Sequence, residues 1–386
     1  MLNDQSYSNS ITLIVIYAIA WAFVFYKHRK QCSGTILSGG FILLTYLLYA
    51  VSSYFLYKSD SQWYGSMHMF QFVYLFALLY IGLKPVLEYD KAKVTQIKPP
   101  SEIVLKIFSI LYVVCTLLYL PSAISNIREG LSILLLDSSG GADLYNERLD
   151  SGHKEDYGVS NVLSIFYNIF RDCAMLVYFY LLTKPKGNKF LILVLTMSFL
   201  SSILISFSTG NRTTVTFIVL SLVASYLLFK NLYNQKVKRI VRVTGLSLAI
   251  VVAFLFIVLT VSRFGDMNEG GFDVPSGIFD TRLKYSNMAT NDSIFTTYIG
   301  DFVLDFGPWL TPVLVILFTL FILKITKTNN GIIHFYKLIP IHYVMNVCVR
   351  GGMYLFCYPF INNLQILAYI FFYVVCVLLS NKKEAI

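Results

Sequence analysis

Apolar runs of about 18–22 residues recur along this chain, each matching the ~30 Å hydrocarbon layer of a bilayer. No other feature narrows the fold as much. A segment that crosses lipid must pair its own backbone N–H and C=O groups, which these runs can do as helices. Composition agrees: 56% of residues are hydrophobic and only 13% charged, against about a quarter charged in a soluble domain. The 28 Tyr and 31 Phe suit a protein whose rings collect at two membrane interfaces. The first run lacks a basic n-region and a small-residue cleavage site, so it reads as a retained helix.

The sequence therefore predicts an all-α, polytopic membrane helix bundle forming a single integral membrane domain over 1–386. About eleven spans (range 10–13) are expected, near 9–26, 36–57, 67–83, 103–120, 161–182, 190–207, 213–229, 243–262, 308–323, 332–349 and 364–380. Met353–Asn363 is apolar but broken by Pro359 and Asn362-Asn363, a pattern compatible with a re-entrant segment.

Basic residues set the expected orientation. The turns holding Lys27–Lys30, Lys84–Lys98, Lys184–Lys189, Lys230–Arg242, Lys324–Lys327 and Lys382-Lys383 carry 19 Lys and Arg, while the opposite side carries 9. Positive charge marks the cytoplasmic side, so the N-terminus is expected outside and the C-terminus inside. The +10 net charge is then accounted for by topology, and nucleic acid is not expected as a partner. Two longer external loops are expected, about 121–160 and 263–307. No Walker-type phosphate loop and no Gly-x-Gly-x-x-Gly after a strand is present. Five of the six cysteines (Cys115, Cys173, Cys348, Cys357 and Cys376) fall in apolar segments, with Cys32 in a cytoplasmic turn. No cysteine pair has metal-ligand spacing, so neither disulfides nor a cysteine metal site is expected.

Two external features carry most of the chemistry. Phe207–Thr214 is a polar turn between two apolar runs, with Gly210-Asn211 to reverse the chain and Arg212 as its only charge. Arg212 either snorkels at a helix end or holds an anion there. The second loop runs from Arg263 through a Gly-rich stretch to Asp280 and Arg282, then to Ser293, which could cap a short helix. On that helix Tyr298, Asp301 and Asp305 would share one face. Such a helix lies solvated in the interface, or covers a cavity and offers its carboxylates to a polar ligand. Gly307-Pro308 is expected to open the next span. The adjacent charges Arg171-Asp172 inside the fifth span suit a structural role.

The pieces Gly210-Asn211-Arg212, Tyr298-Ile-Gly-Asp301-Phe-Val-Leu-Asp305-Phe-Gly307 and Arg350-Gly-Gly together resemble the bacterial oligosaccharide repeat-unit polymerases, the Wzy-type O-antigen and capsular polysaccharide polymerases. Length, span number and basic inner loops are similar over essentially the whole chain. The related O-antigen ligases share this architecture.

The resemblance implies glycosyl transfer on the external face of the bacterial cytoplasmic (inner) membrane. A polyprenyl-pyrophosphate-linked oligosaccharide donates its glycan to the terminal sugar of another repeat unit, and a chain-length regulator protein is a possible partner. The pyrophosphate leaving group needs fixed cations, and arginine binds phosphate oxygens with a planar, permanently charged fork. Arg212, Arg263, Arg282 and Arg350, with Tyr298 and Asn211, are the expected donor and glycan contacts. Asp301, Asp305, Asp280 and His342 are the candidate bases for the acceptor hydroxyl. His342 reads equally as a hydrogen-bonded packing residue. The chain has no Asp-x-Asp, no metal is expected and no cofactor is implied. Two further classes stay open: a lipid-linked oligosaccharide flippase, which calls for polar residues strung along many spans, and a membrane acyltransferase, for which His28 lacks a surrounding signature.

Overall fold

The computed structural model describes residues 4–59, 68–136, 159–184, 188–208, 212–264, 297–328, 331–352 and 360–384. Within them lie eleven helices of 17 residues or more: α1 (Asp4–Gln31), α2 (Ser38–Ser59), α3 (Met69–Lys91), α4 (Glu102–Leu136), α5 (Val159–Leu182), α6 (Lys189–Ser208), α7 (Arg212–Leu228), α8 (Gln235–Phe264), α9 (Tyr298–Ile325), α10 (Phe335–Gly351) and α11 (Phe360–Glu384). Each overlies one expected span. Eight of them, α1 to α6, α9 and α11, are long and apolar enough to cross a bilayer. α7 is shorter, and α10 is a 17-residue helix interrupted by Lys337, Pro340, His342 and Arg350. The chain is an all-α polytopic membrane protein.

Large apolar side chains point outward along these helices, among them Phe23, Phe190, Ile250 and Phe371. In water such a surface would drive association; against lipid it is the expected exterior.

The structure departs from the sequence reading in two places and bears it out at Gly307. α4 continues through Pro121 to Leu136, past the expected end of its span near residue 120. A membrane helix tolerates proline where other groups take up the freed backbone. The expected short helix and following span are both present within α9, divided at Gly307, whose φ of 75° and ψ of 166° are not helical and are adopted without strain only by glycine. Pro312 has no N–H for the Pro308 carbonyl; the Tyr74 hydroxyl of α3 donates to that carbonyl instead, at 2.7 Å. Finally, Ile332–His334 is a short strand, not the start of a span. As β2 it pairs in parallel with β1 (Gln96–Lys98), in the register Gln96 to Ile332 and Lys98 to His334.

The chain forms two compact units. The first comprises residues up to Pro99, Ala224–Asn231 and Ser276–Val374, and so holds α1 to α3, the end of α7, α9, α10 and most of α11. Its centre is aromatic: the Trp21 ring of α1 lies 4.9 Å from Tyr46 of α2 and 4.6 Å from Phe76 of α3. Tyr46 donates to the Cys348 carbonyl of α10 at 3.1 Å.

The second unit holds α4 to α6, most of α7, α8 and the end of α11. Tyr112 and Tyr167 stack there at 5.5 Å, and the Tyr167 hydroxyl donates to the Ser198 carbonyl at 2.6 Å. Arg171 and Asp172 are buried in α5, with Arg171 Nη1 donating to Asn168 Oδ1 at 3.0 Å and Nε 3.9 Å from Asp172 Oδ1.

Candidate functional site

α10 carries a buried polar stripe. His342, Asn346 and Arg350 recur every four residues, so they stack along one helical face about 6 Å apart along the axis. All three are buried. Asn346 Nδ2 donates to the Tyr369 hydroxyl of α11 at 3.0 Å, and that hydroxyl lies 2.7 Å from His342 Nδ1. Ser225 Oγ of α7 lies 2.8 Å from His342 Nε2. One assignment satisfies these contacts together: Tyr369 donates to Nδ1, and Nε2–H donates to Ser225 Oγ. In that tautomer the imidazole is a link in a chain of hydrogen bonds, with both nitrogens engaged inside the protein.

Arg350 ends the stripe, in the last turn of α10, where a cation meets the negative end of the helix dipole. Its Nη1 donates to Gln365 Oε1 of α11 at 3.4 Å. Gly351 and Gly352 follow, and a Cβ at Gly352 would overlap the Tyr46 ring, so glycine is what lets the chain pass there.

The first turn of α9 packs beside this end of α10. The buried Tyr298 hydroxyl lies against Cys348 and over Gly82 of α3, where any added Cβ would collide with it. One turn on, Asp301 is completely buried. Asp305, expected on the same face, is exposed. The two carboxylates of this stretch, both before the break at Gly307, thus differ in burial. Asp301 and Arg350 are a buried carboxylate in the first turn of α9 and a buried guanidinium in the last turn of α10.

Of the other expected residues, Arg212 is the first residue of α7 and Arg263 lies in the last turn of α8, with side chains outside what is described. Asn211, Asp280 and Arg282 also lie outside the described residues, as does the gathering of four arginines about one cavity.

A second buried cluster lies at the other end of the first unit. His28 closes α1, Cys32 follows it by one turn, and Asp90 closes α3; all three are buried. His28 Nε2 is 3.1 Å from Asp90 Oδ2 and 3.5 Å from Cys32 Sγ. The Gly39 N–H, at the start of α2, donates to the same Asp90 Oδ2 at 2.8 Å. Asp90 Oδ1 and His28 Nδ1 have no hydrogen-bond partner. The three donor atoms lie within 4.8 Å of one another, and among the described residues this is the one group of His, Cys, Asp or Glu that could hold a metal ion. Cysteine-pair spacing missed it, because the readable signal is His28-x-x-x-Cys32 at a helix end and the third ligand comes from another helix.

No family model, curated protein or solved structure matches this chain. Ser225, Tyr369 and Gln365 were not identifiable from sequence. His342 and Arg350 were, as polar residues two turns apart in an apolar segment; Asn346 between them was not.

Proposed function

We propose that this chain is a membrane glycosyltransferase that polymerises polyprenyl-pyrophosphate-linked oligosaccharide repeat units into O-antigen or capsular polysaccharide, on the external face of the bacterial cytoplasmic membrane. The observation that carries the reading is that α9 buries a carboxylate, Asp301, in its first turn and α10 buries a guanidinium, Arg350, in its last turn. A carboxylate and a guanidinium are costly to desolvate, and glycosyl transfer needs both. Asp301 accepts the proton of the acceptor hydroxyl as its oxygen bonds to the donor's anomeric carbon. The bond from that carbon to the pyrophosphate oxygen breaks, and the leaving group departs with the electron pair. Arg350 meets the charge that develops on it. Exposed Asp305 contributes to glycan contact, and His342 holds the α10 stripe against α7 and α11.

Deletion of the gene, with surface glycan resolved on a gel, tests this. A ladder collapsed to single-repeat products supports polymerisation. Loss of the single-repeat product as well would indicate the ligase or a flippase instead.

A further inference from the structure

The geometry points to a binding site for one divalent transition-metal ion of the zinc class, held by His28 Nε2, Cys32 Sγ and Asp90 Oδ. Three features support it independently of the proposed polymerase chemistry. The first is distance. Tetrahedral zinc with bonds of about 2.0 Å to nitrogen and oxygen and about 2.3 Å to sulfur places N and O about 3.3 Å apart and N and S about 3.6 Å apart. The observed separations are 3.1 and 3.5 Å.

The second is hydrogen-bond arithmetic. Nε2 carries either one proton or one lone pair, and both point along a single direction in the ring plane. It can donate to Asp90 or accept from Cys32, but not both at once. Two partners converging on one nitrogen are what a shared cation produces, and the same cation would serve the unpartnered Asp90 Oδ1 nearby.

The third is charge and access. Thiolate, carboxylate and neutral imidazole sum to the charge that cancels a divalent ion, which suits a buried position. The mixed N, S and O set favours a borderline ion such as Zn²⁺ or Co²⁺ over Mg²⁺ or Ca²⁺. Cys32 and Asp90 also line a cleft of about 330 Å³ with Thr35, Lys93, Thr95 and Asn231. A fourth, water-filled coordination position can open there, as in zinc sites with three protein ligands.

The experiment uses the full-length protein in detergent, titrated with Co²⁺ or Zn²⁺ alone. Co²⁺ is expected to bind with one ion per chain showing a thiolate-to-cobalt charge-transfer absorption. Zn²⁺ is expected to slow alkylation of Cys32, read by peptide mass spectrometry with Cys115 as internal reference, by at least about 10-fold. Cys32→Ser should abolish the absorption, and Asp90→Asn should weaken Co²⁺ binding by at least the ~10-fold that loss of even an outer-shell partner costs. If the wild-type protein shows no charge-transfer absorption and Cys32 alkylates at one rate with and without Zn²⁺, the cluster is an ion pair with a neighbouring thiol and the site is refuted. The wild-type measurements decide this without any variant having to fold, and loss of polymerisation does not enter.

Discussion

Ser225 Oγ sits 2.8 Å from His342 Nε2, 117 positions later in the chain, while the opposite nitrogen of the same ring lies 2.7 Å from the Tyr369 hydroxyl. The imidazole thus ties α7, α10 and α11 together. Interhelical hydrogen bonds in membrane proteins average about 0.6 kcal/mol and reach about 1.7. His342→Ala, which breaks two of them and opens a cavity, should destabilise the protein by roughly 1–3 kcal/mol. Thermal unfolding in detergent reads this. The same variant, assayed below its melting temperature, should keep most of its turnover; loss of turnover at unchanged stability would make His342 the base instead.

Asp301 and Asp305 differ in burial, and their asparagine variants should differ in effect. Asp301→Asn keeps shape and hydrogen bonding but cannot accept the acceptor's proton, so chain growth should fall by at least the ~10²-fold that general-base catalysis contributes. Asp305→Asn should retain a ladder of near-normal length. Equal glycan ladders from both variants would remove the carboxylates from the mechanism.

At Arg350 the quality that matters is the planar fork. Lysine keeps the charge but cannot bind two phosphate oxygens in parallel. Arg350→Lys should therefore lose most polymerisation while its level in the membrane stays normal. A merely snorkelling arginine would tolerate lysine, so full activity in that variant would exclude the clamp.

Gly82 and Tyr298 offer a test of how the α9 turn is held. Gly82→Ala drives a methyl group into the Tyr298 hydroxyl, an overpacking that costs typically 1–3 kcal/mol. Adding Tyr298→Phe removes the colliding oxygen, and much of the lost stability should return. Additive destabilisation in the double variant would mean that the contact is not the source of the strain.

Much of this was readable beforehand. Apolar run length located the eleven long helices among the described residues, eight of them long and apolar enough to cross a bilayer. Two members of the α10 stripe, His342 and Arg350, stood out in the sequence, whereas Asn346 between them did not. The stripe's partners did not either: Ser225 lies in a serine-containing apolar helix like several others, and only packing selects it. Run length also cannot distinguish a loop from a helix that continues past its span, which is why α4 extends beyond Pro121. The break at Gly307 was legible as Gly307-Pro308, whereas the Tyr74 hydroxyl that serves the Pro308 carbonyl was not. The His28–Cys32–Asp90 cluster joins residues of two helices and a turn, a proximity no local pattern encodes.

Cys32 provides a pH-dependent observable. Burial first, and the Asp90 carboxylate second, push its thiol up to about 11. The folded state therefore favours the protonated thiol. Without added metal, Cys32 alkylation should remain slow at neutral pH and keep accelerating above pH 9, where an unperturbed thiol near 8.5 has already levelled off. A plateau below pH 9 would show that Cys32 is not desolvated.

The 19-to-9 distribution of basic residues predicts that position 212 faces outward and that Lys236–Arg242 faces the cytoplasm. Single cysteines at position 212 and within 236–242, treated with a membrane-impermeant thiol reagent on intact cells, check this: labelling is expected at the first and protection at the second. The reverse pattern would invert the proposed active face.

The most direct test of the central claim is reconstitution of the purified protein with a polyprenyl-pyrophosphate-linked repeat unit as sole substrate. The account predicts a ladder of lipid-linked products growing by one repeat unit per rung, with one polyprenyl pyrophosphate released per linkage, and no ladder from Arg350→Lys protein of equal stability. A folded wild-type protein that leaves the single repeat unit unchanged, while moving it across the bilayer or transferring it to a different acceptor, would contradict the account.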